Sequence, residues 1–177
     1  MPAPATDTIA SAQLNSPLGI IRVTARTNAD GTAGVSEVAF DKPNDDAPDG
    51  SDAPAPLKHI LNEAIAQLHA YFASSRSTFD LPLAAHGTDF QHTVWRELCS
   101  IPAGITISYG ELAKRVGGPN YSRAVGAANG ANPIAIIVPC HRVIDSQGKL
   151  HGYAGGLERK RWLIDHERAM CGATLFV

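Results

Sequence analysis

From Ile136 to Ile144 the chain reads Ile-Ile-Val-Pro-Cys-His-Arg-Val-Ile, and no other stretch restricts the fold as much. An apolar run that stops at a proline and resumes behind a Cys-His pair is buried on both sides, with the pair fixed between. Proline sets its own φ and disfavours helix for the residue before it, so the pattern predicts a strand that ends at Val138 and hands Cys140 to a turn. A thiol is a nucleophile only as the thiolate, and a neighbouring imidazole is a common means of making one. A lone cysteine is more often a small buried hydrophobe; the adjacent His141 and the preceding Pro139 favour the nucleophile here.

The rest of the composition fits a globular chain. With 177 residues and 44% hydrophobic content it can bury one core or two small ones. Residues 1–7 have neither a basic nor an apolar leader region, and no run reaches membrane-spanning length, which predicts a cytoplasmic protein. The cysteines, Cys99, Cys140 and Cys171, are odd in number and lack CxxC spacing, so neither a disulfide framework nor a zinc ribbon is expected. His86, His92 and Cys99 do not gather into a ligand set, and no metal or soluble cofactor is predicted. The net charge of −2 conceals an asymmetry, −5 over residues 1–85 against +3 over 86–177, so an anionic partner would meet the second half.

Taken in order, Leu18–Thr24 and Val35–Phe40 are β-branched stretches around a polar turn and predict a hairpin or short meander. An acidic, proline-containing loop follows over 44–54, and then Leu57, Ile60, Leu61, Ile65, Leu68 and Phe72 recur at helical spacing, predicting an amphipathic helix over about 56–74. Phe79–Leu83 reads as a short strand. A second helix starts near Thr88 or Asp89, with Phe90, Val94, Trp95 and Leu98 on one face, and ends at Ile101–Gly104.

Ser108-Tyr109-Gly110-Glu111 fits a capping box, and Gly117-Gly118-Pro119 stops the helix it opens. Ser122 is placed to cap a further helix through Asn129, so the pair predicts a helix-turn-helix. Beyond Arg123 the second helix offers small residues, among them Ala124, Gly126 and Ala127. Such a surface suits close approach to a narrow groove with one arginine as probe, which favours the minor groove of DNA. Asp145–Lys149 is turn chemistry, Gly152–Gly156 a glycine-rich loop, and a last helix over about 157–169 is expected to turn Leu157, Trp162 and Leu163 inward.

The string Pro-Cys-His-Arg-Val at 139–143, with Asn132-Pro133 before it and Gly152-Tyr153-Ala154-Gly155-Gly156 after, resembles the signature of the O6-alkylguanine-DNA alkyltransferases over about 89–169. The resemblance implies an α/β (α+β) protein: a ribonuclease H-like N-terminal part (1–85) with a small antiparallel sheet and a helix, and a mostly helical DNA-binding and alkyl-transfer part (86–177). It implies a stand-alone, monomeric protein acting on double-stranded DNA without cofactor. The alkyl group of O6-alkylguanine, and of O4-alkylthymine, would pass once and irreversibly to Cys140, spending the protein. His141 would deprotonate the thiol through a water with Glu167 behind it, and Asn132 would bridge the helix-turn-helix to the active-site segment. Tyr109 would hydrogen-bond the extruded base, and Arg123 would fill the gap left by the flipped nucleotide, the helix bearing Ser122, Ala124, Gly126 and Ala127 lying along the DNA. Val143, Tyr153, Ala154 and Gly155 would wall the pocket. Ala154 replaces a serine found in some relatives, so only backbone N–H groups of that loop are offered to O6.

Two rival readings remain. A lesion-recognition protein of the same general type would lack the nucleophile, whereas Cys140 is present. A thiol hydrolase would need an oxyanion hole and would leave the helix-turn-helix unexplained.

Overall fold

The computed structural model describes residues 8–28, 30–40 and 50–172. The chain divides into two compact units, Met1–His86 and Gly87–Val177. The first is a three-stranded antiparallel meander, β1 (Ile9–Ser16), β2 (Gly19–Thr27) and β3 (Ala33–Phe40) in that spatial order, against helix α1 (Ala55–Phe72). β1 lies N-terminal to the two predicted stretches. Its sequence, Ile-Ala-Ser-Ala-Gln-Leu-Asn-Ser, has little β propensity; pairing with β2 in register Ile9↔Arg26 to Ser16↔Gly19 makes it a strand. Ser16 closes the turn between them, its Oγ donating to Gly19 O at 2.7 Å and accepting from Leu18 N at 3.1 Å.

The core of this unit is aliphatic. Ile21, Val23, Ala25, Val35 and Val38 of the sheet meet Leu57, Leu61, Leu68 and Tyr71 of α1, all essentially buried. Burying side chains of this size contributes about 1.5–3 kcal/mol each. Phe79–Leu83 is an extended strap with a single parallel bridge, Val35↔Leu83, where a strand was expected. Gln67 pins it, donating to Asp80 O and accepting from Asp80 N, both at 2.9 Å. Pro82 has no N–H to extend a ladder there. Of the predicted acidic loop, residues 44–49 lie outside the described residues, and Gly50–Asp52 form a short 3-10 turn.

The second unit is mostly helical: α2 (Asp89–Cys99), β4 (Ile107–Ser108), α3 (Tyr109–Val116), α4 (Ser122–Gly130), β5 (Val143–Ile144) and α5 (Leu157–Met170), with β4 parallel to β5. Thr88 and Gln91 form a full capping box on α2, which buries Val94, Trp95 and Leu98. Trp95 Nε1 donates to Ala128 O at 2.9 Å, fastening α2 to α4. At Ser108 only half of the predicted box forms. Its Oγ accepts from Glu111 N at 3.0 Å, but the Glu111 carboxylate turns outward to Arg115 at 3.3 Å. Ser122 is not the cap of α4 either; Tyr121 holds that position, and Ser122 Oγ donates back to Pro119 O at 2.9 Å, joining the 3-10 turn Pro119–Tyr121 to the helix.

The largest departure is at the apolar run. Residues 135–138 form successive turns and a bend instead of a strand, with Ile136 at φ 71°. The strand reading fails because the amides of the run close locally, Ile137 N to Ala135 O at 2.8 Å and Val138 N to Ile134 O at 3.0 Å. A β-branched residue in the left-handed region is strained, and such strain persists where surrounding structure enforces it. In α5 the inward face also differs from expectation. Lys160, Leu163, Ile164 and Glu167 are buried, Trp162 is half-buried and stacks on His166 at 4.7 Å, and Leu157 is 47% exposed.

Candidate active site

Pro139 ends the turns, and Cys140–Arg142 form one 3-10 turn before β5, so three consecutive functional side chains are all buried. Asn132 holds the approach: its Nδ2 donates to Val138 O at 2.8 Å and its Oδ1 accepts from Ile134 N at 3.0 Å. Burial pushes the Cys140 thiol above its ordinary range, and Asn132 and the Lys160 charge oppose that shift.

His141 is completely buried, with Nε2 at 2.8 Å from Glu167 Oε1. A carboxylate only accepts, so Nε2 carries the proton and Nδ1 the lone pair. Nδ1 makes no hydrogen bond with any described residue. Burial lowers the proton affinity of the ring; Glu167 opposes this, while Arg142 and Lys160 add to it.

Glu167 carries four donors. Besides His141, Arg142 Nε donates to Oε2 at 2.9 Å, Arg142 Nη2 to Oε1 at 2.8 Å and Gly104 N to Oε2 at 3.1 Å. Burial alone would raise this carboxyl, but the hydrogen bonds and charges of His141 and Arg142 hold it far below the usual carboxylate range. Arg142 Nη1 donates to Ile101 O.

Around the thiol stand two phenols. Tyr109, at the start of α3, donates its hydroxyl to His151 O at 3.4 Å. Burial raises its hydroxyl pKa, and proximity to Cys140 adds to the shift. Tyr153 is raised further for the same two causes in the same order. Lys160 Nζ donates to His151 O at 2.8 Å and sits 5.9 Å from the Tyr109 ring centre. On α4, Val125, Ala128 and Asn129 face inward, while Arg123, Ala124 and Ala127 are exposed, with Ser122 and Gly126 half-buried beside them.

This arrangement can activate a thiol: an orienting carboxylate, an imidazole with a free lone pair and a buried sulfur next to it in sequence. Comparison with known proteins then places the chain. Residues 89–169 match the family model described as 6-O-methylguanine DNA methyltransferase, DNA binding domain. A methylated-DNA–protein-cysteine methyltransferase of Mycobacterium tuberculosis is 56% identical over 112 residues, 63% of this chain and 68% of that protein. The chain belongs to the methylated-DNA–protein-cysteine methyltransferase family. A Methanosarcina mazei member is 56% identical over 110 residues, covering 62% of this chain and 70% of its own. The crystal structure of the Mycobacterium tuberculosis O6-methylguanine methyltransferase superposes with a TM-score of 0.74 at 38% identity, over 95% of this chain and 98% of that one. A structure of the Mycobacterium tuberculosis protein in complex with DNA gives the same TM-score at 41% identity, over 91% and 94% of the two chains. The chemistry of methylated-DNA–protein-cysteine methyltransferases is stated in their name: a methyl group passes from methylated DNA to a cysteine of the protein.

Within this member of the family, the structure gathers Cys140, His141, Glu167, Asn132, Tyr109 and Tyr153 in one place. Val143 is buried in β5, whereas Ala154 is exposed and Gly155 half-buried, its carbonyl accepting from Arg159 at 3.0 Å. A cleft of about 440 Å³ beside α5, bounded by Ile144, Leu150, Leu157 and Ile164, contains none of these residues. Among the described residues no helix is long and apolar enough to cross a membrane, and no three His, Cys, Asp or Glu are placed to hold a metal ion. Two functional neighbours went unassigned from sequence. Arg142 stands inside the motif, and a cation amid Val138, Val143 and Ile144 signals a buried partner. Lys160 shares a helical face with Leu163 and Glu167, at offsets of three and seven.

Proposed function

We propose that the chain repairs O6-alkylguanine in duplex DNA by direct reversal, with Cys140 as the acceptor. The thiol proton leaves through a water to His141 Nδ1, and Sγ attacks the alkyl carbon. The carbon–O6 bond breaks with its electron pair remaining on the base, which regains a proton as guanine. A thioether does not hydrolyse, so each molecule reacts once. The observation that carries this reading is the Glu167–His141 contact of 2.8 Å, which leaves Nδ1 without a hydrogen-bond partner among the described residues, on the residue that follows the buried Cys140.

A base stacked in a duplex hides O6 from a protein thiol, so the nucleotide is extruded. The exposed face of α4 meets the minor groove, its small residues allowing close approach and Arg123 filling the vacated stack. Tyr109 donates to the extruded base as negative charge develops in the ring. Val143 and Tyr153 wall the pocket, and N–H groups of 154–155 serve O6; O4-alkylthymine is accepted by the same contacts. Residues 86–177 perform binding and transfer as a monomer, with residues 1–85 in support. Replacing Cys140 with Ser tests the assignment: binding to an O6-methylguanine duplex is kept and methyl transfer is abolished. Transfer at the wild-type rate would overturn it.

A further inference from the structure

We propose that Arg142 is a positioning residue of the thiol-activating relay: as the counter-ion of Glu167 it leaves His141 neutral, with Nδ1 open to the Cys140 proton. The inference rests on the relay proposed above and adds a member to it.

The geometry poses a problem that Arg142 solves. A buried carboxylate needs a compensating cation, and a carboxylate 2.8 Å from an imidazole ordinarily draws a second proton onto the ring. A ring that already holds both protons cannot accept another from a thiol. His141 would then be an orienter and no base. Arg142 removes the conflict because it grips the same carboxylate through two parallel N–H bonds, at 2.8 and 2.9 Å, and cannot lose its charge. Glu167 therefore has a full counter-ion without His141. Its four acceptor directions are filled by Arg142, His141 and Gly104, so it orients the ring and takes no proton itself.

Lys160, from α5, also acts on His141 and repels a proton on the ring. Cys140, on the same turn, Cys99 of α2, which lies by Arg142, and Tyr153, before α5 and by Glu167, have their pKa values raised by burial and add no negative charge at rest. Arg142 is thus the cation held against Glu167 by paired N–H bonds.

The test is a titration of His141 by side-chain NMR in the unreacted protein, comparing wild type with Arg142→Gln and Arg142→Lys. In wild type His141 stays neutral through the neutral range. Arg142→Gln raises its pKa by about one unit or more, a tenfold gain in proton affinity; the single-turnover rate near pH 6 falls accordingly and recovers as pH rises. Arg142→Lys keeps the charge without the fork, so His141 titrates as in wild type. A folded Arg142→Gln with an unshifted His141, or the same shift in both variants, overturns the proposal. Should the Gln variant fail to fold, the Lys variant decides alone: a wild-type titration supports the counter-ion role and a raised pKa contradicts it. No substrate is present in this measurement. A protein that transfers no methyl group would therefore sink the repair reading separately from this one.

Discussion

Burial of the ionisable groups of His141, Arg142 and Glu167 makes the site a determinant of stability as well as of chemistry. His141 holds its proton less tightly in the folded chain than at its ordinary value of 6.5. The unfolded chain therefore binds the extra proton, and folding weakens as pH falls below about 6.5. Glu167 lies below its ordinary 4.5, so its contribution is present above that pH and is lost as pH falls further. Melting temperature should fall from pH 7 to pH 5, and His141→Gln should flatten that part of the curve. An unchanged slope in the variant would exclude His141 as the titrating group. For the reaction itself, Glu167→Gln should slow methyl transfer by about 10²-fold or more, the scale of general-base assistance, with lesion binding kept. Equal rates would remove Glu167 from the relay. His141 and Glu167 stand 26 residues apart, and nothing local joins them. Their pairing is readable only from the motif resemblance; residue by residue, Glu167 looks like a solvated helix charge. Arg142 and Lys160 escaped because a charged side chain is ordinarily assigned to the surface, and only the packed structure shows otherwise.

At the scale of elements, α4 presents Arg123, Ala124 and Ala127 on its exposed face. Gly126 meets no atom within 4 Å of an added Cβ, so Gly126→Ala fits and should stabilise the helix by up to about 1 kcal/mol in denaturant unfolding. On the exposed face, Ala127→Glu should leave stability within about 0.5 kcal/mol yet weaken binding to duplex DNA. Unchanged DNA binding would move the interface off α4. Arg123→Ala should reduce repair of duplex DNA far more than reaction with free O6-benzylguanine, and equal losses would refute insertion into the stack. Helices with clear periodicity, α1 and α2, are legible within a residue or two, because apolar spacing and caps act locally. What sequence misjudged depended on more than local pattern: β1 needs β2, the amides of the turns at 135–138 close locally, and Leu157, the first residue of α5, is exposed.

For the whole molecule, the charge asymmetry of −5 and +3 between the halves places the anion-binding tendency in the half that holds the thiol. Two of those cations, Arg142 and Lys160, are buried, so they serve the active site and not the attraction of DNA. A weak net field fits the proposed recognition, which depends on the lesion more than on bulk charge. The central claim is that Cys140 takes the alkyl group once. Mixing the protein with excess O6-methylguanine duplex, then taking intact and peptide mass spectra, tests it most directly. The account predicts a gain of one methyl group per chain, located on Cys140 and saturating there. Tight binding with no gain in mass, or a methyl group on Cys99 or Cys171, would contradict it.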